Sequence, residues 1–207
     1  IKASVSSLLQ DDVTWTDAAR QEFLEAIDQE SDRLDRLVGN LLDMSRLQTG
    51  VLQMTTRPTG WEEVVAAAAG NLPLDPEDQL AIEVDETLPP VEADPALAER
   101  AVANVVANAL RHGRGHPVTV RGQVGEGVAE LDVVDHGPGI PPEDHERLFE
   151  PFQRLGDTGG TGVGLGLAVA HGFVTAMGGT ITPLPTPGGG LTMRIALPLA
   201  DAEDSAS

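Results

Sequence analysis

The chain has 207 residues, is 41% hydrophobic, and carries 33 acidic against 13 basic side chains for a net charge of -20. That suffices for one cored domain plus a smaller element, but so acidic a chain lacks the cationic surface that nucleic-acid phosphates require. With no cysteine, disulfides, thiolate chemistry and Cys-ligated zinc are excluded, no apolar run reaches the roughly 20 residues of a membrane helix, and the composition reads as cytoplasmic.

The chain opens on Ile1-Lys2-Ala3-Ser4, without Met or a signal peptide. Ile1, Val5, Leu8 and Leu9 already have helical spacing, so residues 1–10 read as the end of a helix whose upstream part is missing. Asp11 to Thr16 is a polar turn, with Thr16 or Asp17 as N-cap of a helix running to about Gln48. Its apolar positions Phe23, Ile27, Leu34, Leu37, Leu41 and Met44 step by three and four, interrupted at Glu30, and Leu24, Val38, Leu42 and Leu47 widen the stripe. A dimeric four-helix bundle would bury such a stripe, as would packing on the chain's own domain.

Gly50 ends the helix. Val51–Thr56 alternates like a strand, Trp61–Ala69 reads as a helix and Ala81–Val84 as a strand. Asp94-Pro95 starts a helix to about His112, with Asp as cap and Pro at the first helical position. Pro117–Val124 and Val128–Val134 alternate around Gly125-Glu126-Gly127, a hairpin signal. A short helix near Pro142–Leu148, a glycine-rich loop, a helix from Leu165 to Met177, and strands Thr180–Leu184 and Leu191–Leu197 flanking Pro187–Gly190 complete the pattern. Helices mixed with antiparallel hairpins give an α+β class. The expected organisation is a helical segment 1–49, a domain 50–199 and a small, acidic, disordered tail 200–207.

Four stretches carry candidate chemistry. In Asn104-Val105-Val106-Ala107-Asn108-Ala109-Leu110-Arg111-His112, the two asparagines share one helix face. Their amide oxygens suit Mg²⁺ and Arg111 suits a phosphate, although two solvated asparagines on an amphipathic helix would read the same. Asp135-His136-Gly137-Pro138-Gly139 follows a strand directly. A carboxylate there can accept from an adenine amino group beside glycines that admit a flat ring, and an ordinary strand-to-helix turn satisfies the pattern equally well. Phe149-Glu150-Pro151-Phe152, with Arg154 after it, holds two of the four phenylalanines and suits the base of a mobile loop or plain core anchoring. Gly159-Gly160-Thr161-Gly162-Val163-Gly164-Leu165-Gly166-Leu167 leads into a helix, where glycine backbone can cradle phosphate. It is neither a dinucleotide fingerprint, since no strand leads into it, nor a Walker A loop. The lysine and catalytic-loop signatures of Ser, Thr or Tyr kinases are absent as well.

The order and spacing of the four stretches resemble the N, G1, F and G2 boxes of sensor histidine kinases. Arg33-Leu34-Asp35-Arg36-Leu37-Val38-Gly39-Asn40-Leu41-Leu42-Asp43-Met44-Ser45-Arg46-Leu47 resembles their second dimerisation helix. Together with Ser6-Ser7-Leu8-Leu9 and Gly162–Ala168, the chain resembles in particular the KdpD-type potassium-responsive sensor kinases. The resemblance implies the Bergerat-type ATP-binding α/β sandwich shared with gyrase, Hsp90 and MutL. This is a mixed, largely antiparallel sheet with helices on one face, here preceded by a helical dimerisation hairpin. It implies ATP and Mg²⁺ as cofactors, a homodimer through the hairpin, a response-regulator receiver domain as partner, and membrane attachment only through missing upstream segments.

Residue by residue, the resemblance implies Asn108 as Mg²⁺ ligand and Asn104 near the phosphates, with Arg111 at the place of the usual lysine and His112 beside the nucleotide. Asp135 would bind the adenine amino group, with Gly137, Gly139 and Ile140 lining the pocket. Phe149 and Phe152 would anchor a lid of about residues 153–162, and Arg154 would reach the γ-phosphate. Thr161, Gly162, Val163, Gly164, Leu165 and Gly166 would wrap the phosphate chain. The five histidines are His112, His116, His136, His145 and His171, none on the first helix. The phosphoacceptor is therefore expected to be missing from the chain. His145-Glu146 matches an acceptor only superficially. Competing expectations are an ATP-gated module like Hsp90 or MutL, an anti-sigma-type serine kinase, and a purely structural dimerisation protein.

Overall fold

A computed structural model describes residues 1–9, 13, 15–72, 79–113, 115–153 and 164–200. The chain forms two compact units, Ile1–Asp43 and Met44–Ser207. The first unit holds α1 (Lys2–Leu8) and α2 (Asp17–Thr49) as far as Asp43. The Thr16 hydroxyl accepts the Ala19 N–H at 3.2 Å, so Thr16 supplies the side-chain cap. Trp15 meets Phe23 edge-on with ring centroids 5.0 Å apart, and its indole N–H donates to the Ser7 carbonyl at 3.0 Å. Leu24, Leu34, Val38, Leu41 and Leu42 of α2 are exposed.

The second unit contains β1 (Arg57–Thr59), α3 (Trp61–Gly70), β2 (Leu80–Glu83), β3 (Val91–Ala93), α4 (Pro95–His112), β4 (Val118–Val124), β5 (Val128–Val134), α5 (Gly166–Ala176), β6 (Thr180–Pro185) and β7 (Leu191–Pro198). The main sheet has the order β2-β4-β5-β7-β6. β2 runs parallel to β4 and the other neighbours are antiparallel. Alternation along the strands sends Val118, Val120, Ala129, Leu131, Val133, Met193, Ile195 and Leu197 into one core with α3, α4 and α5. On α4 the buried positions Ala98, Ala101, Val102, Val105, Val106 and Ala109 recur at helical spacing, leaving Asn104 and Asn108 half-buried on its flank.

The opposite face of the sheet is charged. Arg121, Asp132 and Arg194 lie in register on adjacent strands. Asp132 is fully buried, accepts Arg194 Nε at 2.7 Å and Nη2 at 3.0 Å, and has Arg121 at 3.5 Å. Those hydrogen bonds raise the Arg194 pKa above the usual arginine value.

Two sequence expectations change. Val51–Thr56 is not a strand: Val51 is largely exposed, and the Thr55 N–H donates to Asp94 Oδ2 at 2.8 Å instead of to a neighbouring strand. The strand that forms there is β1, antiparallel to β3. β3 is too short, and too close to Pro89 and Pro90, to announce itself in sequence. The segment near Pro142–Leu148 resolves into two 3₁₀ turns, Pro142–Asp144 and Glu146–Phe149. The start of α4 is as read: Asp94 Oδ1 accepts the N–H groups of Ala96 and Leu97 at 3.1 and 3.2 Å, ahead of Pro95. Of the expected disordered tail 200–207, Ala200 is held by its N–H to the Pro90 carbonyl at 2.9 Å, and Asp201 onward lies outside the described residues. Among the described residues no helix is long and apolar enough to cross a membrane.

Trp61 is the largest fully buried side chain, and its indole N–H has no hydrogen-bond partner among the described residues. Trp61→Ala is expected to cost about 3–5 kcal/mol of unfolding free energy. Trp61→Phe, which deletes an unpaired N–H with part of the ring, is expected to cost less than about 2 kcal/mol. Urea unfolding of the two variants measures the difference.

Candidate functional site

The site is built where β5 ends. Val134 hands the chain to Asp135, a carboxyl group only 3% exposed, so its oxygens need partners. Among the described residues two donors reach it and converge on one oxygen: Gly137 N–H at 2.9 Å and Leu191 N–H at 3.2 Å bond Oδ1. The Asp135 N–H returns a bond to the Leu191 carbonyl at 2.9 Å. Oδ2 receives no hydrogen bond from the described residues. Beside this clamp, the buried hydroxyls of Thr186 and Thr192 bond each other at 2.9 Å.

Glycines let three backbones meet around the carboxylate. A Cβ on Gly137 would lie 2.3 Å from the His112 carbonyl oxygen, and one on Gly190, at φ +111°, would lie 2.0 Å from the Asp135 carbonyl oxygen. Gly139, at φ +70°, faces the Gly190 carbonyl. Gly137 therefore seats the loop on the C-terminal end of α4. Ile140 packs against the core, and its carbonyl lies 3.1 Å from His145 Nε2.

A second contact region sits two turns back along α4. A Cβ on Gly166, the first residue of α5, would lie 3.2 Å from Asn104 Oδ1. Just before it, Gly164 takes φ +75°, its carbonyl accepts the Phe152 N–H at 2.9 Å, and Leu165 is buried. α4 thus joins both regions, Gly137 at His112 and Gly166 at Asn104. Eight residues of helix, about 12 Å, separate the two contacts. Asn108 lies between them on the same flank, half-buried, while Arg111 is exposed on the last turn.

Phe149 and Phe152 differ. Phe149 packs against the core and stacks on His171 with centroids 4.7 Å apart. Phe152 takes a left-handed backbone, φ +66°, which turns its ring outward to 62% exposure. The ring is thus no buried anchor, and only the Phe152 backbone is tied down, through Gly164. Arg154, Thr161, Gly162 and Val163, and the expected lid 153–162 apart from Gln153, lie outside the described residues. Gly190 and Leu191 were missed in the sequence, where Pro187-Gly188-Gly189-Gly190 reads only as a hairpin turn. Three successive glycines, more than a turn requires, were the available signal.

Comparison with known proteins gives this geometry a family. Residues 93–201 match the Histidine kinase-, DNA gyrase B-, and HSP90-like ATPase family, and residues 1–50 match the His Kinase A (phospho-acceptor) domain. Sensor protein KdpD of Rathayibacter rathayi is 46% identical over 176 residues, covering 84% of this chain and 20% of that protein. Sensor protein KdpD of Mycobacterium tuberculosis (strain CDC 1551 / Oshkosh) is 42% identical over 212 residues, covering 98% of this chain and 24% of that protein. The chain thus spans about a fifth to a quarter of these curated relatives. The crystal structure of full-length ShkA in complex with AMPPNP superposes with a TM-score of 0.72 at 25% identity, over 96% of this chain and 42% of that one. By these matches the chain belongs to the histidine kinase-, DNA gyrase B- and HSP90-like ATPases and, within them, to the sensor histidine kinases.

Proposed function

We propose that the second unit binds Mg-ATP along α4, with the base at Asp135 and the phosphates at the entry to α5. In the whole protein, the γ-phosphate would then pass to a histidine of the phospho-acceptor helix and on to an aspartate of a response-regulator receiver domain. The observation that carries this reading is the one-sided bonding of Asp135. Two backbone donors fix Oδ1, and Oδ2 keeps its acceptor capacity for an amino group. Gly137 and Gly139 would line the ring with backbone, their missing side chains letting the loop close on the His112 and Gly190 carbonyls, with Ile140 alongside.

At the other end, the first N–H groups of α5 have no intrahelical partners and favour an anion. Gly164, Leu165 and Gly166 would present them, with Asn104 beside Gly166 and Arg111 and His112 at the far end of α4. Thr161, Gly162 and Val163 extend this cradle in sequence, Arg154 is assigned to the γ-phosphate, and Phe152 borders the nucleotide through its backbone. The half-buried asparagine oxygens on the flank of α4 suit a hard divalent cation that keeps water and phosphate ligands, so Asn108 would hold Mg²⁺. The ion neutralises phosphate charge when bound. The protein's part is positioning, which is most of what phosphoryl transfer asks of it.

The exposed apolar stripe of α2 supports a homodimer through the helical segment. The paired phospho-acceptor domain weighs against an Hsp90- or MutL-like module and against an anti-sigma-type serine kinase, neither of which needs one. By its likeness to KdpD sensors we place the protein in potassium or osmotic signalling, with this region cytoplasmic and membrane attachment supplied by other segments.

Residues 1–50 contain no histidine. The 207-residue chain is therefore expected to bind Mg-ATP by calorimetry yet to acquire no acid-labile label from γ-labelled ATP. Stable label would move the acceptor to one of the five histidines present, and absence of ATP binding would overturn the reading.

A further inference from the structure

The β6–β7 turn does more than reverse the chain. Leu191, the first residue of β7 after it, donates one of the two hydrogen bonds that hold Asp135 Oδ1 and accepts the Asp135 N–H, although the two residues are 56 apart in sequence. The residue before it, Gly190, is buried and left-handed, and even a methyl group there would lie 2.0 Å from the Asp135 carbonyl oxygen and 2.7 Å from the His136 Cα. A flexible side chain could swing away from such an approach, but two backbones cannot. The Gly190 carbonyl in turn faces Gly139, and the Thr186 N–H donates to it at 3.3 Å.

From this geometry we infer that Gly190 is a positioning residue for base selection. It allows the β6–β7 turn close enough for the Leu191 N–H to fix Oδ1, and so aims Oδ2 at the exocyclic amino group of adenine. The inference rests on the ATP reading above and deepens it. Discrimination between adenine and a purine lacking the amino group is divided between two backbone donors, one on the aspartate's own loop and one at the start of the neighbouring strand β7.

The test compares binding of ATP and of purine riboside triphosphate, which lacks the 6-amino group, to the full chain by calorimetry. The parent is expected to prefer ATP by about 30-fold, the worth of a hydrogen bond to a charged acceptor. Gly190→Ala is expected to reduce that preference to less than about 3-fold, mainly by weakening ATP. Gly189→Ala has a similar backbone conformation, φ +109°, with its nearest contact at 3.9 Å, and is expected to keep the preference. Should Gly190→Ala fail to fold, replacing Leu191 by its α-hydroxy acid removes the N–H, while weakening the Gly190 carbonyl as an acceptor for Thr186, and is expected to lower the preference in the same way. A parent that binds both nucleotides equally overturns the adenine reading and this inference with it. A parent that discriminates, with a Gly190→Ala or Leu191 ester variant that discriminates as well, overturns this inference alone, because a merely structural role would weaken both nucleotides in parallel.

Discussion

Asp135→Asn is expected to weaken ATP binding about 30- to 100-fold while leaving thermal stability nearly unchanged. The asymmetry of the clamp sets this outcome. The Gly137 and Leu191 N–H groups both require an acceptor, so the amide oxygen of the substituted side chain must take the place of Oδ1. Its NH₂ group then stands where Oδ2 stood, and a donor faces the donor of the adenine amino group. Asp135→Ala also weakens binding, but it strands two N–H groups at a buried position and is expected to lower stability by about 1–3 kcal/mol. Calorimetry with ATP, beside thermal unfolding, separates the two variants. An Asn variant that binds ATP as the parent does would remove Asp135 from base recognition.

Gly137→Ala acts through packing instead. The added methyl would lie 2.3 Å from the His112 carbonyl oxygen and 3.1 Å from its carbon, both backbone atoms at the end of α4. The loop must lift off the helix, so Asp135 and the Asn104–Asn108 flank move apart. A displacement of about 1 Å in a positioned site can cost two orders of magnitude, so ATP affinity is expected to fall at least about 10-fold. The overpacking itself is expected to cost about 1–3 kcal/mol. ATP titration at matched folded fraction reads the first effect and urea unfolding the second. Unchanged affinity would mean that the loop and α4 need not stay in contact for nucleotide binding.

Much of this arrangement was written locally. Asp94-Pro95 announces α4 because a cap and a fixed φ act within one helical turn, and both are present. The alternation of Val118–Val124 and Val128–Val134 predicts a hairpin because a strand's faces repeat every two residues, and β4 and β5 pair antiparallel. The order of the four nucleotide-box stretches pointed to the family that residues 93–201 match. Expectations failed where a local pattern had no neighbour to complete it. Val51–Thr56 alternates but finds no strand to pair with, and Phe152 is apolar but sits on a left-handed backbone that turns its ring outward.

The sequence by itself determined the helical periods, the caps, the strand faces and the succession of chemical groups, because each depends on contacts within a few residues. Only the tertiary structure decided which groups meet. It laid β2 parallel to β4, seated Gly137 on the end of α4 and Gly166 on Asn104, and paired β7 with β5 so that Leu191 fixes one oxygen of Asp135. These are encounters between segments distant in sequence, the closest of them made where glycine leaves no Cβ in the way. No periodicity along the chain encodes them.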